Sequence, residues 1–254
     1  MRRAVILAAG LGERLRPLTL KIPKCLLPIN GRPLLDIWLE ICRRASVERV
    51  LVNTHHLAAQ VESFVRALRG GPEVQTVHEE TLLGSAGMLA RNRWFLETDR
   101  PFAVIYADTL IPRLDLDAMF RFHELHRELV TLGLFEAPTP TECGIVEMSK
   151  DGRIIAFEEK PLHPLSNLAS AGVFIADPAI LDLLPDRLPA DVGRELMPEL
   201  VGRMKGFALD GPVLDVGTPA RYREAQEIAR GIRRGAAGGG VGYRPQADRT
   251  LSGQ

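Results

Sequence analysis

The sequence is poor in cysteine: three residues in 254, Cys25, Cys42 and Cys143, odd in number and far apart. That spacing gives neither a disulfide framework nor a C-x-x-C metal pair, so a reducing compartment is expected. An excess of charge of one sign is missing too. Lys plus Arg and Asp plus Glu both number 32, for a net charge of zero. This excludes the broad basic surface that binds DNA or RNA, and no nucleic-acid partner is expected. No stretch approaches the roughly 18 consecutive apolar residues of a membrane span, so no membrane partner is expected either. Arg2-Arg3 followed by apolar residues and Ala8-Ala9 imitates a signal peptide. Its apolar run ends after about six residues, short of the roughly 7–15 of an h-region, and Glu13-Arg14 follows. The expected location is the cytoplasm. There is no internal repeat and no hexapeptide solenoid.

What is present is a globular composition, 46% hydrophobic and 25% charged, in a chain long enough for a real core. Its most informative stretch is 4–33, AVILAAGLGERLRPLTLKIPKCLLPINGRP. Ala4-Val5-Ile6-Leu7-Ala8 has the length and composition of a buried parallel strand. Ala9, Gly10 and Gly12 follow, small residues that let a ligand approach the backbone N–H groups. Then come the cations Arg14, Arg16, Lys21 and Lys24, with Pro17, Pro23 and Pro28 stiffening the segment between them. Together these read as a site for a polyphosphate. Two common phosphate motifs do not fit it. Counting from Gly10, both the P-loop and the dinucleotide fingerprint need glycine at position 15, which is leucine. A dinucleotide-dependent oxidoreductase is thereby disfavoured.

Downstream, periodicity predicts a helix through Leu34, Leu35, Trp38, Ile41, Cys42 and Ala45, and a strand at Arg49–Asn53. A helix through Ala58, Val61, Phe64, Val65 and Leu68, a strand at Val74–Val77, a helix around Met88–Arg93 and a strand at Phe102–Tyr106 follow. This alternation predicts an α/β fold: an open, mostly parallel, Rossmann-like sheet flanked by helices, with its ligand beyond the strands' carboxyl ends. After Pro138-Thr139-Pro140 the pattern changes. Gly144–Met148 and Arg153–Phe157 flank Asp151-Gly152, a hairpin signal. Ala171–Ile175 reads as a strand and Ile180–Leu184 as a short helix. Thr218-Pro219 reads as an N-cap with proline at the first helical position. The expected organisation is one domain over 1–232: a part at 1–139, a small antiparallel extension at 140–215 and a helix at 218–232. A disordered tail is expected over 233–254.

Gly10, Gly12, Arg14, Leu15, Pro17, Leu18 and Thr19, then Pro23, Lys24, Leu26, Pro28 and Ile29, match a known signature. It resembles that of the sugar-nucleotide pyrophosphorylases, which join an NTP to a sugar 1-phosphate; Glu13 and Cys25 depart from the usual pattern. The resemblance implies attack of the sugar phosphate on the α-phosphorus of the NTP with loss of pyrophosphate. It implies Arg14 and Lys24 as catalytic residues, Arg14 on the departing phosphates and Lys24 near the α-phosphoryl group. Leu7, Ala9, Gly10, Gly12, Gly84 and Ser85 would complete the nucleotide site, the last two within a loop similar to the family's L-G-T-A-G. Asp108, after the fourth strand, and Asp215, in Asp-Val-Gly-Thr-Pro, would ligate the Mg²⁺ cofactor. Glu159 and Lys160, in a segment similar to E-K-P, with Gly144 and Ser170, would hold the sugar phosphate. Ser170 stands where relatives often have Asn.

The look of the base loop is similar to the mannose- and heptose-1-phosphate guanylyltransferases, so GTP is favoured. Gly12-Glu13-Arg14 and Asn53–His56 are also similar to the muramate 1-phosphate uridylyltransferases, which keeps uridylyl or thymidylyl transfer as the alternative. His55 and His56 belong to a strand-to-helix turn on this reading. A non-catalytic nucleotide-sugar sensor is the alternative of another class, and a homo-oligomer is left open.

Overall fold

The computed structural model describes residues 1–237. Four strands, β1 (Arg2–Leu7), β2 (Val47–Thr54), β3 (Glu73–His78) and β4 (Phe102–Tyr106), pair in parallel in the order β4-β1-β2-β3. Side chains alternate between the two faces of a strand. Ala4, Ile6, Val50, Val52, Ala103 and Ile105 join one hydrophobic cluster, and Val5, Leu51 and Val104 join another. All are buried. Burial on both faces is why the central stretches of β1, β2 and β4 read as apolar runs, and each such Val, Ile or Leu contributes about 1.5–3 kcal/mol. Edge strand β3 has no fully buried residue.

Helices cover both faces. On one side lie α1 (Leu34–Arg44) with Trp38, α2 (Ala58–Ala67) with Val61, and two later helices. On the other lie α3 (Ser85–Arg91) and α4 (Arg93–Leu96) with Met88, Leu89, Phe95 and Leu96. The single helix expected around Met88–Arg93 is thus two. The break falls at Asn92, whose Nδ2 donates to the Met88 carbonyl at 2.9 Å. The later helices are α5 (Leu116–His126) and α6 (Pro219–Ala237).

Three of the longer elements escaped the sequence reading: α5, strand β5 (Val130–Glu136) and a later strand at Met204–Ala208. The core face of α5 is Leu116, Met119, Phe120 and His123, so a histidine interrupts the apolar pattern. Burial pushes its pKa down, and its Nδ1 lies 3.0 Å from Thr131 Oγ1. A neutral, hydrogen-bonded imidazole can occupy a core position.

The remaining strands are β6 (Gly144–Met148), β7 (Ile154–Glu159), β8 (Leu168–Ala176) and β9 (Met204–Ala208). Strands β6 and β7 form the expected hairpin. Strand β8 pairs antiparallel with β4 along Val173–Ala176, while Ala169 pairs with Ile145 of β6. Between Ser170 and Phe174 its register breaks. This break lets one edge of β8 serve β4 along one half and β6 along the other. The nine-stranded sheet runs β7-β6-β8-β4-β1-β2-β3, with β5 paired to β8 and β9.

Helix α6 begins as expected: Thr218 Oγ1 accepts from Arg221 N at 3.3 Å, and Pro219 is the first helical residue. The helix reaches Ala237, past the expected end at 232. From 238 onward the expected disordered tail lies outside the described residues. Among those residues no helix is long and apolar enough to cross a membrane.

Candidate active site

The loop after β1 contains three short turns, Glu13–Leu15, Leu18–Leu20 and Lys24–Leu26. It is pinned from within and from α2. Thr19 Oγ1 donates to the Gly12 carbonyl at 2.7 Å, while the Thr19 carbonyl lies 2.7 Å from His56 Nε2. Gln60 Nε2 donates to the Lys21 carbonyl at 2.9 Å. His56 therefore belongs to the strand-to-helix turn, as expected. Its neighbour His55 places Nδ1 2.7 Å from the Glu79 carbonyl.

This pinned loop delivers Lys24, only 9% exposed, to two carboxylates. Its Nζ lies 2.7 Å from Asp108 Oδ2 and 3.6 Å from Asp215 Oδ1. A charge so buried must be paired, and here one cation faces two anions. The aspartates, distant in sequence, meet through a two-residue antiparallel ladder in which Asp215 pairs with Thr109. The Val216 N–H adds a 2.8 Å bond to the Asp108 carbonyl. Burial first, and the Asp108 charge second, raise the Asp215 pKa, offset by Lys24 and Arg14. Arg14, largely exposed, lies 3.5 Å from Asp215. Arg16 and Lys21 point to solvent, Arg16 pairing with Glu13 at 3.3 Å.

A cavity of about 230 Å³ opens at the carboxyl ends of the parallel strands, where an α/β sheet places its ligand. Leu7, Ala9, Gly10, Lys24, Gly84, Ser85 and Asp108 line it. A second cavity, about 290 Å³, is lined by Arg14, Asp108, Gly144, Glu159, Lys160, Ser170 and Asp215. Tyr106 and Asp108 border both. The structure thus gathers all of the sequence-predicted residues except Gly12 at two adjoining cavities, with Asp108 bordering both and Lys24 bonded to it from the first. Gly12 lines neither; it turns the chain behind the first cavity with φ 65°. Arg14 lines the second cavity and not the first. Burial raises the Glu159 carboxyl pKa, and Lys160 holds a left-handed backbone, φ 52°. A non-glycine residue in that region stores strain and marks a constrained position.

Sequence reading missed a polar chain inside the first cavity. Asn53 Oδ1 accepts from the Ala8 N–H at 2.6 Å, and Asn53 Nδ2 donates to Glu79 Oε1 at 2.7 Å. Glu79 Oε2 then accepts from the Leu83 N–H at 2.9 Å. Both side chains are buried and line the cavity. Their signal was positional: each is a polar residue at or just beyond the end of an apolar strand, as Asp108 is. Cys25 lines the same cavity, but burial pushes its thiol up to about 12, which removes it as a nucleophile.

Gly84 is required by contact as well as by conformation. Its φ is 77°, and a Cβ there would lie 2.2 Å from the Ala190 carbonyl oxygen. Gly84→Ala is expected to cost about 2–4 kcal/mol, seen as a lower urea midpoint at unchanged slope. A midpoint equal to that of the parent would contradict this account.

A family model for nucleotidyl transferases matches residues 3–230. The chain is 32% identical over 241 residues to a UTP–glucose-1-phosphate uridylyltransferase of Synechocystis, covering 88% of this chain and 62% of the relative. It is 34% identical over 226 residues to mannose-1-phosphate guanylyltransferase catalytic subunit beta of Danio rerio, covering 87% and 62%. The chain thus spans about 62% of the length of these curated relatives. A solved UDP-glucose pyrophosphorylase, complexed with UDP-glucose, superposes with a TM-score of 0.80 at 23% identity over 92% of this chain and 100% of that one. At that identity the likeness shows the fold alone. With the family model covering nearly the whole described fold, the chain belongs to the nucleotidyl transferase family.

Proposed function

We propose that this protein transfers a nucleotidyl group from an NTP, with GTP favoured, to a sugar 1-phosphate. A sugar-phosphate oxygen attacks the α-phosphorus, the new O–P bond forms, the bond to the β-phosphate oxygen breaks, and pyrophosphate leaves. The observation that carries this reading is Lys24, which lines the first cavity and pairs with both Asp108 and Asp215. Such chemistry needs alignment and charge neutralisation more than covalent work from the protein. Lys24 would face the α-phosphoryl group, and Arg14, with its planar fork of donors, the departing phosphates. On the nucleotide side Leu7, Ala9, Gly10, Gly12, Gly84 and Ser85 would shape the pocket. On the sugar side Lys160 would hold the phosphate, with Glu159, Gly144 and Ser170 around the ring.

Among the described residues no cluster of three His, Cys, Asp or Glu side chains could hold a metal. The two crowded carboxylates nonetheless fit Mg²⁺, which completes its shell with phosphate oxygens and water. When bound, it would neutralise phosphate charge; Asp108 and Asp215 would hold it. The free cysteines suit the reducing cytoplasm.

Glu79 supports guanine. Its buried carboxylate is acceptor-only when ionised. The guanine edge offers two adjacent donors, N1–H and the 2-amino group, whereas uracil and thymine flank one donor with two carbonyls. Glu79→Gln should therefore lower the GTP-to-UTP ratio of kcat/KM by about 10–100-fold, as expected for one bidentate base contact. An unchanged ratio would remove Glu79 from base selection.

The defining experiment is a matrix of GTP, UTP, dTTP, CTP and ATP against mannose, glucose, heptose and amino-sugar 1-phosphates, with Mg²⁺, scored by pyrophosphate release. Binding without release in every cell would favour a sensor over an enzyme.

A further inference from the structure

The nucleotide-side loop is held from the sugar side. Ala190 N–H donates to the Leu83 carbonyl at 2.9 Å, and the Ala190 carbonyl accepts from Ala86 N at 2.9 Å and Gly87 N at 3.2 Å. The Ser85 hydroxyl donates to Asp191 Oδ2 at 2.7 Å and accepts from Val192 N at 2.7 Å. Its proton is therefore committed to Asp191. The other oxygen of Asp191 accepts from Gly193 N at 2.9 Å and Arg194 N at 3.2 Å, capping a single π-helical turn, Val192–Leu196. Such turns occur often at functional sites.

The same segment walls the second cavity. Asp191, Val192 and Gly193 line it, and Gly193 packs so closely on Glu159 that a Cβ would sit 2.6 Å from Glu159 Oε2. One short stretch, 190–193, thus touches both the loop that borders the first cavity and the carboxylate that borders the second. A ligand that shifts this shared stretch from one side changes the wall that the other ligand meets, which couples the two sites.

We propose that Asp191, acting through Ser85, is a positioning residue that couples the two cavities, so that nucleotide and sugar phosphate bind cooperatively. The proposal rests on the functional reading above for the identity of the two ligands. Coupling of this kind is reciprocal: whatever factor the sugar phosphate adds to nucleotide affinity, the nucleotide adds to sugar-phosphate affinity.

The test uses the full chain and calorimetric titration of the α,β-methylene analogue of the preferred NTP, whose bridging carbon prevents transfer. Titrations are made with and without the preferred sugar 1-phosphate. In the parent the sugar phosphate should tighten the analogue about tenfold, within the usual 5–150-fold range of site coupling. Ser85→Ala should bring the factor close to one, and Ser85→Thr, which keeps the hydroxyl, should restore it. Asp191→Asn, which loses the charge that receives the serine proton, should also reduce it and serves as the readout if Ser85→Ala fails to fold. Equal coupling in the parent and these variants, or no coupling in the parent, would overturn the proposal. Failure of the parent to bind either ligand alone would instead overturn the functional reading.

Discussion

Lys24→Ala is expected to fold and to lose turnover by about 10²–10³-fold, the loss of one aligned cation in a preorganised site, or about 2.7–4 kcal/mol in the barrier. The Lys24 Nζ lies within ion-pair distance of both Asp108 and Asp215, so one cation bridges the two carboxylates. Removing it deletes a positive charge aimed at the reacting phosphate and leaves two neighbouring carboxylates facing each other. The defect should fall on kcat more than on the KM for sugar phosphate, because Lys24 lines the first cavity and not the second. Single-turnover pyrophosphate release separates these terms. Turnover equal to the parent's would remove Lys24 from the chemistry.

Asp108→Asn comes second in size. Asp108 borders both cavities and holds the 2.7 Å bond to Lys24. The amide keeps the shape and removes the charge, so a loss of about 10²-fold or more should come with a raised Mg²⁺ requirement. The Mg²⁺ titration is the informative part. If activity fell while the half-saturating Mg²⁺ stayed constant, Asp108 would serve to orient Lys24 and not to hold metal. The same variant purified in parallel also shows whether residual turnover belongs to a contaminant.

The parallel half of the sheet was legible because its central strands are buried on both faces; Ala4–Leu7 and Phe102–Tyr106 leave almost no other reading. The glycines, Arg14 and Lys24 were legible as a group because their spacing is local and fixed. Asn53 and Glu79 were not, although both are buried in the same cavity. They act through hydrogen bonds between strands that sequence leaves separate, and a lone Asn or Glu after a strand carries no local signature. Asp191 was hidden for a similar reason, since its partner Ser85 is 106 positions away. Strand β5 has an interior glycine, Gly133, which weakens any strand pattern. The core imidazole of His123 disguised α5.

The ladder joining Thr109–Leu110 to Leu214–Asp215 also sets an order in time. Every residue lining the first cavity lies before position 109, so the first part of the chain to leave the ribosome supplies all of them. Its companion carboxylate arrives more than a hundred residues later, with a loop-closure cost that only the completed sheet can offset. A nascent or truncated chain ending before Leu214 would carry the nucleotide loop without the second aspartate. Such a fragment would lack the charge arrangement proposed to make the substrate react.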